Sequence, residues 1–244
     1  MPTTAKFINP YSGDAASLAL QVLDEGNASK VIHAGRNRLW ILPLGGIDVV
    51  VKAFRASWMR SWVYAFRPSK ARRSFQNAAT LLKRGIATPA PIGYVETRDA
   101  LHRLVACVYV CEFVDSQPLE DYWKSGDKDF IAAFARFVAY LHERGVRHDD
   151  LNATNVRVIA TPAGYEFSLI DLNRMRIYDE GQPVPIDYCF KNLTRFSCLD
   201  DSFRLFVSEY LRARNLSESM ADRAIAAKRS HDRRVDFKKS LKKR

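Results

Sequence analysis

Short apolar runs separated by turn residues fill the first half of the chain. Lys30–His33, Arg38–Leu42 and Ile47–Phe54 are rich in β-branched and aromatic residues, and glycine-containing turns divide them. This pattern predicts three strands of an antiparallel meander. After a proline-rich break, Ile92–Val95 and Leu104–Phe113 repeat the pattern. We therefore expect a sheet of five strands.

A second period, with apolar residues three or four positions apart, predicts helices. The stripe in Phe130–Arg144 is typical of a core helix. A serine N-cap and a terminal glycine bound another predicted helix over Ser69–Gly85. Three more helices are predicted: Ala15–Leu23, Phe196–Leu211 and Met220–Ala227.

Polar residues with a specific spacing follow the Phe130–Arg144 helix. His148, Asp150 and Asn155 have the H-x-D-L-x-x-x-N spacing of a kinase catalytic loop. Phosphoryl transfer needs a carboxylate that accepts the proton of the acceptor hydroxyl, and a polar ligand for the magnesium ion on the phosphates. We predict Asp150 as the catalytic base and Asn155 as a nucleotide and metal ligand.

A second motif ends the apolar run Phe167–Asn173, which resembles a buried strand. Such a strand would deliver Asp171 to the metal as a second magnesium ligand. A strand-like segment, Val156–Ile159, and a Pro-Ala-Gly turn separate the two motifs. Both motifs in this order favour a kinase.

Upstream residues supply candidates for the rest of a nucleotide site. Lys52 ends a strand like the V-A-I-K strand whose lysine reaches the phosphates. Gly35 lies in the turn that covers the phosphates in a kinase. Arg36 and Arg38 could add charge there, although an ordinary hairpin turn explains these residues equally well. Glu112–Ser116 is predicted as the hinge, with Glu112 at the adenine.

These elements predict an α+β, bilobal protein-kinase-like fold. Residues 1–115 would form a small lobe with a five-stranded antiparallel sheet and one helix. Residues 116–227 would form a mainly helical larger lobe that carries the catalytic loop and the metal-binding strand. Residues 228–244 would form a basic tail, ending in a frayed helix or in disorder.

Charge narrows the class of partner. The 244 residues carry a net charge of +11, and no acidic residue lies between Lys52 and Glu96. This excess favours nucleic acid, anionic membrane or polyphosphorylated substrates. Ser57–Arg67 interleaves aromatic residues with arginines, which is consistent with a membrane-interface surface or with a linker packed on the small lobe. No recognised nucleic-acid motif accompanies the basic segments, so nucleic acid is not expected as a partner.

The remaining composition is that of a cytosolic protein. The four cysteines have no paired C-x-x-C spacing, so neither a metal site nor a disulfide framework is expected. We expect buried free thiols instead. The apolar runs are shorter than the roughly 20 residues that a membrane span requires, and the N-terminus lacks a signal-peptide pattern.

With these motifs in place, the chain resembles the lipopolysaccharide kinases, which include the Kdo and heptose kinases of the bacterial inner core. The resemblance covers about residues 31–211 and is most specific over Ser69–Pro91, His148–Asn155 and Leu169–Arg174. Asn152 stands where protein serine/threonine kinases usually carry a lysine that neutralises the transferring phosphate. The resemblance implies ATP as donor, Mg²⁺ as cofactor and an inner-core sugar hydroxyl as acceptor. It also implies a lipid A-core precursor as partner, at an anionic surface on the inner face of the cytoplasmic membrane.

The chain departs from the family pattern in one respect, which leaves alternative functions open. The Ser69–Gly85 helix lacks the glutamate that normally pairs with the strand lysine. Gln76 is the first candidate to orient Lys52 instead, with Asn77 or a direct pair with Asp171 as the others. A pseudokinase therefore remains an alternative. A protein serine/threonine kinase is a second one, although no A-P-E-like motif follows Arg174.

Overall fold

The computed structural model describes residues 1–8, 10–35, 37–55, 58–195 and 200–242. They form two compact units. The first contains Met1–Asp115 and the short segment Asp171–Asn173, and the second contains Ser116–Ile170 and Arg174–Arg244.

An antiparallel sheet of six strands forms the centre of the first unit. Its strands are β1 (Thr3–Phe7), β2 (Lys30–Ala34), β3 (Asn37–Leu44), β4 (Ile47–Phe54), β5 (Pro91–Arg98) and β6 (Leu104–Glu112), in the spatial order β1-β5-β6-β4-β3-β2. The last five are the predicted strands, so the expected count of five is one too few. β1 escapes prediction because Thr-Thr-Ala-Lys-Phe has little apolar pattern. Its close pairing with β5 depends on Gly93, where a Cβ atom would lie 2.6 Å from the Lys6 carbonyl oxygen.

Alternation along β4 places its side chains on the two faces of the sheet. Val49 and Val51 are fully buried in the core of the first unit, against residues of α1 (Ala15–Leu23) such as Val22. Lys52 points to the opposite face, where it lies in register with Tyr109. The period of two therefore turns this lysine away from the core.

Two more helices belong to the first unit, α2 (Trp58–Phe66) and α3 (Lys70–Lys83). The α3 helix begins as predicted, because the Ser69 side chain accepts a hydrogen bond from the Arg72 backbone N–H at 3.0 Å. Phe75 packs against Tyr94, with ring centroids 5.4 Å apart. The α3 helix therefore covers the sheet face that carries Lys52.

Helices dominate the second unit. They are α4 (Leu119–Trp123), α5 (Lys128–Glu143), α6 (Ile186–Leu193), α7 (Asp201–Ala213) and α8 (Ala221–Lys242). Short strands form two small sheets, ordered β10-β9-β7 and β11-β8. These strands are β7 (Gln117–Pro118), β8 (Val146–His148), β9 (Val156–Thr161), β10 (Gly164–Leu169) and β11 (Met175–Ile177). The α5 helix confirms the predicted core helix, and the start predicted for α7, at Phe196, lies outside the described residues.

Aromatic rings make up much of the core of the second unit. Phe130 and Phe134 lie one turn apart on α5 and are fully buried. Phe134 packs on Phe206 of α7 and on Phe167 of β10, with ring centroids 5.4 Å apart in both pairs. Burying one such side chain contributes about 1.5–3 kcal/mol, so these contacts hold β10 firmly against α5.

The last predicted helix extends far beyond its expected end. It runs to Lys242, so the basic segment from residue 228 is helical throughout its described part. Lys228 is buried, and its ammonium group donates to the Thr194 carbonyl oxygen and to Asp232. This residue therefore anchors the helix to the end of α6.

Three of the four cysteines fall within the described residues, and all three are free thiols. Cys107 and Cys189 are buried, and Cys111 is partly buried. Burial raises the pKa of Cys107 to about 11, so this thiol is protonated at neutral pH. Cys198 lies outside the described residues.

Candidate active site

An ion pair within the first unit joins two of the predicted nucleotide residues. The Lys52 ammonium nitrogen lies 2.6 Å from a carboxylate oxygen of Asp171, and the two side chains are 15% and 25% exposed. The amide of Asn173 also donates to this carboxylate, at 2.5 Å. The arrangement brings Lys52 and Asp171 together across 119 positions of sequence.

Asp171 adopts an unusual backbone conformation. Its φ is +58°, in the left-handed region that non-glycine residues rarely occupy. Such a conformation costs on the order of 1 kcal/mol and occurs preferentially at functional sites. It turns the chain directly after β10 and presents the carboxylate to Lys52.

The expectation that Gln76 orients Lys52 is wrong. Gln76 is exposed on α3, and the ammonium group of Lys52 pairs with the carboxylate of Asp171 instead. Asn77 has a different role, because its amide donates to the Leu172 carbonyl oxygen at 2.7 Å. The α3 helix thus holds the segment that carries Asp171, and Asp171 holds the lysine.

Two other predicted residues lie in the first unit, near the ends of strands. Gly35 follows β2 in the turn to β3, and Arg36 lies outside the described residues. Glu112 ends β6, and its backbone N–H donates to the Ala90 carbonyl oxygen at 2.9 Å. That N–H group is therefore not a donor for an adenine, so a contact at Glu112 would need another atom of the residue.

The catalytic loop of the second unit is held by its own backbone and by His148. Nδ1 of this buried histidine accepts from the Asp150 backbone N–H at 3.1 Å, and Nε2 lies 2.9 Å from the Ile170 carbonyl oxygen. Because one nitrogen accepts and the other donates, the imidazole is neutral. It joins the catalytic loop to the residue that precedes Asp171 in the chain.

Asn155 is oriented in the same loop. Its amide nitrogen donates to the Asp150 carbonyl oxygen at 2.8 Å, and its backbone oxygen accepts from the Ile170 N–H at 3.0 Å. This use of the amide nitrogen leaves the amide oxygen as the atom that could accept a ligand. Asp150 and Asn155 are thereby brought together as the spacing predicts.

The donor atoms suit a hard divalent cation. Mg²⁺ binds oxygen ligands, usually one or two from the protein together with phosphate oxygens and water. Asp171 offers a carboxylate and Asn155 an amide oxygen. The described residues contain no group of three or more histidine, cysteine or acidic side chains that could hold a metal by itself.

Two arginines that the sequence did not predict as site residues lie beside Asp150. Arg174 Nη1 is 3.6 Å from one carboxylate oxygen of Asp150, and Arg195 Nη1 is 3.5 Å from the other. Arg174 directly precedes β11, and Arg195 lies two residues after the end of α6. Arg174 ends the Leu169–Arg174 motif and Arg195 belongs to no motif, and only the fold shows that both lie beside Asp150.

A buried hydrogen-bond network contacts the backbone of the catalytic loop at His148. The amide of Asn192 donates to the His148 carbonyl oxygen at 2.7 Å, and its oxygen lies 3.0 Å from Nε2 of His142. His142 is fully buried, and Nδ1 lies 2.8 Å from the Tyr210 hydroxyl. The network ties α5, α6 and α7 to the backbone of the loop.

This network predicts a pH dependence of stability. Burial disfavours the charged imidazolium and lowers the pKa of His142 to about 4, from the usual value of about 6.5. Between these values the unfolded chain binds a proton that the folded chain does not. We therefore expect the free energy of unfolding to fall by up to about 1.4 kcal/mol per pH unit as pH drops from about 6.5 toward 4.

Denaturant unfolding at a series of pH values would measure this effect. His142→Gln should show a shallower loss of stability over the window than the parent chain. The exposed His33, replaced by glutamine, serves as the control and should leave the slope unchanged. Parallel curves for the parent and His142→Gln would contradict the assignment.

Comparison with known proteins places this site in a family. No curated protein matches the chain in sequence. Among solved structures, WaaP in complex with acyl carrier protein superimposes with a TM-score of 0.66 and 19% identity, over 94% of this chain and 98% of that chain. The Rio2 kinase-ADP/Mg²⁺-phosphoaspartate complex from Chaetomium thermophilum gives a TM-score of 0.46 and 18% identity, over 91% and 77%.

The similarity to WaaP confirms the predicted protein-kinase-like fold, with a mixed α and β architecture. The family model "Lipopolysaccharide kinase (Kdo/WaaP) family" matches residues 21–183, which is more than half of the chain. This range contains Lys52, the catalytic loop and Asp171. The resemblance inferred from the motifs is confirmed, and the chain belongs to the lipopolysaccharide kinase (Kdo/WaaP) family.

Proposed function

We propose that the protein transfers the γ-phosphoryl group of ATP to a sugar hydroxyl, of Kdo or heptose, in the lipopolysaccharide inner core. The observation that carries the proposal is the ion pair of Lys52 with Asp171. ATP-dependent transfer uses a lysine that contacts the nucleotide phosphates and a carboxylate that holds the metal. The contact between two residues of these types supports the proposal although the helix glutamate is missing.

In this proposal Asp150 acts as the general base. Its carboxylate takes the proton of the acceptor hydroxyl as the acceptor oxygen forms a bond to the γ-phosphorus, and the bond from that phosphorus to the β,γ-bridging oxygen breaks to release ADP. The hydrogen bonds of the loop backbone to His148 and Asn155 fix the position from which the carboxylate acts. Positioning of this kind is a major part of catalysis in phosphoryl transfer.

Nucleotide and metal are assigned to the predicted residues. Lys52 would contact the phosphates, and Asp171 and Asn155 would hold Mg²⁺. Gly35 and Glu112 complete the proposal, at the phosphate-covering turn and at the hinge. A bound metal would neutralise part of the phosphate charge during the transfer.

A stepwise set of acceptors would test the function. The purified protein is incubated with labelled ATP and with lipopolysaccharides truncated at successive core sugars, and a generic protein substrate is included. We expect label in the carbohydrate, starting at the shortest truncation that retains the acceptor. Label in the protein substrate alone would favour a protein kinase, and no label in any acceptor would favour a pseudokinase.

The role of Lys52 leads to a separate prediction. Lys52→Met removes the charge that would contact the phosphates and also leaves Asp171 without its ion pair. We expect phosphoryl transfer to fall by about 10²-fold or more, the size of effect seen when one electrostatic donor is removed. Gln76→Ala, an exposed position on α3, is the matched control and should be close to normal in the Michaelis constant for ATP. Full activity of Lys52→Met would remove the lysine from the site.

We also propose that the protein contacts an anionic membrane surface through α2. Phe66 is 92% exposed, and Trp62 and Val63 are exposed on the same helix. The guanidinium of Arg103 stacks on Trp62, with its central carbon 5.2 Å from the ring centroid. Aromatic residues with arginines favour the lipid headgroup region, and each nearby Lys or Arg contributes roughly 1 kcal/mol. No helix in the described part of the chain is long and apolar enough to cross a bilayer.

Sedimentation with lipid vesicles would test this surface. The protein should bind phosphatidylglycerol vesicles, dissociate at high salt, and bind phosphatidylcholine vesicles weakly. Phe66→Ala should reduce partitioning by about tenfold, because burial of an aromatic side chain contributes about 1.5–3 kcal/mol. Leu20→Ala, an equally apolar exposed site on α1, is the control. Equal losses in both variants would argue against α2 as the contact.

A further inference from the structure

The environment of Asp150 in the second unit contains more positive charge than a general base requires. Arg174 and Arg195 approach its two carboxylate oxygens at 3.6 and 3.5 Å, and their side chains are 52% and 44% exposed. Charge-assisted N–H···O bonds are usually 2.7–2.9 Å long, so these contacts are loose. Within the described part of the chain, Asp150 is the one acidic partner of either arginine. Both guanidinium groups therefore retain N–H donors for a further anion.

The catalytic loop lacks a cation of its own where protein serine/threonine kinases usually have one. Asn152 stands at that position and is uncharged. Its side-chain oxygen accepts from the Thr154 N–H and hydroxyl at 3.0 and 2.7 Å, and from the Asn155 N–H at 3.2 Å. The side chain of Asn152 thus stabilises the turn and does not supply charge to a phosphate.

We propose that Arg174 and Arg195 are catalytic residues that neutralise the phosphoryl group during its transfer. The proposal rests on the role proposed above for Asp150. An acceptor hydroxyl that gives its proton to Asp150 must lie about 2.6–3.2 Å from the carboxylate. The phosphorus that this hydroxyl attacks is its next neighbour. A guanidinium held 3.5 Å from the same carboxylate is therefore within reach of the phosphoryl oxygens.

The chemistry of the side chain fits this task. The planar guanidinium presents paired N–H donors that match phosphate oxygens, and it stays charged at every physiological pH. Stabilisation of the charge on the equatorial phosphoryl oxygens matters most in the transition state. There the bond to the leaving oxygen is broken and the bond to the acceptor is incomplete. The arginines, which lie next to β11 and α6, would thus provide the charge that Asn152 lacks.

Steady-state kinetics on alanine variants would test the proposal. Arg174→Ala and Arg195→Ala should each lower kcat by about tenfold, and the double variant by about 10²-fold or more, as for loss of transition-state donors. The Michaelis constants for ATP and for the acceptor should stay within about twofold, because the contact forms in the transition state. Lysine at either position should restore part of the rate. Arg176→Ala removes an exposed charge two residues from Arg174 and should be near normal.

Three results would overturn the inference. Unchanged kcat in the double variant is the first, and equal losses in Arg176→Ala are the second, because they would indicate only the general charge of the surface. The third concerns the Michaelis constant for a sugar acceptor that bears a carboxylate. The inference fails if this constant rises in the arginine variants and the rise is absent when the carboxyl group of the acceptor has been reduced. That result would assign the arginines to acceptor recognition.

Failure of the proposed function is separable from failure of this inference. If the parent chain phosphorylates no sugar, the same variants are compared in the slow hydrolysis of ATP, with water as acceptor. A loss of about tenfold or more in the double variant would support the arginines even then, because water attacks the same phosphoryl group. Equal hydrolysis by parent and variants would count against them.

Discussion

Asp150→Asn should reduce phosphoryl transfer by about 10²–10⁴-fold, the usual contribution of a general base. The substitution keeps the size of the side chain and the backbone hydrogen bonds of Asp150 with His148 and Asn155. It removes the group that accepts the proton of the acceptor hydroxyl. ATP binding should survive, because Lys52 and Asp171 are unchanged.

A neighbouring carboxylate provides the control for this experiment. Asp149 lies in the same loop, and its carboxylate pairs with Arg147 at 2.6 Å. Asp149→Asn should keep most of the activity under conditions where chemistry limits the rate. If Asp150→Asn retained more than half of the parental turnover in the same assay, Asp150 would not be the base.

Asp171→Ala should abolish the magnesium dependence of nucleotide binding and lower phosphoryl transfer by roughly 10²–10⁴-fold, since a metal contributes several kcal/mol to such a transition state. The change removes the charged metal ligand and also the partner of Lys52 at 2.6 Å. Asp171→Ala would therefore also impair the function of Lys52, which loses its ion-pair partner. The effects of Asp171→Ala and Lys52→Met should then be far from additive in the double variant.

Calorimetry with ATP, with and without Mg²⁺, would measure this loss. Asp99→Asn is the matched control, because Asp99 is a carboxylate of the same unit that pairs with Arg103 at 2.6 Å. It should bind Mg-ATP like the parent chain. Unchanged affinity in Asp171→Ala would show that the carboxylate after β10 does not hold the nucleotide metal.

Local pattern accounts for most of the secondary structure in the first unit. Strands β2 to β6 and helix α3 were all predictable, because alternation and helical period follow directly from which side chains must be buried. The exceptions are α2, which lies in the segment interpreted as a linker or a membrane-interface surface, and β1. The five residues of β1 carry no clear pattern, and this strand forms by pairing with β5, roughly ninety positions later in the chain. Pairing over such a distance leaves no local trace in sequence.

The partner of Lys52 in the site could not be predicted from local sequence either. The sequence predicts the lysine from its strand, and it leaves Gln76, Asn77 and Asp171 open as groups that could orient it. The structure selects Asp171, whose left-handed backbone turns the carboxylate toward the lysine, and it gives Asn77 the task of holding Leu172. A side chain's spacing on a helix does not determine which of several reachable groups it contacts.

The sequence by itself determined the family, the kinase-like fold and the candidate residues Lys52, Asp150, Asn155 and Asp171, because their motifs depend on spacing within single segments. Only the tertiary structure decided what surrounds them. Arg174 and Arg195 reach Asp150 from two elements outside the catalytic loop, and Asn192 supports His148 from α6. Such neighbours are brought together by packing of segments that are distant in sequence, and no periodicity or motif in either segment encodes the contact.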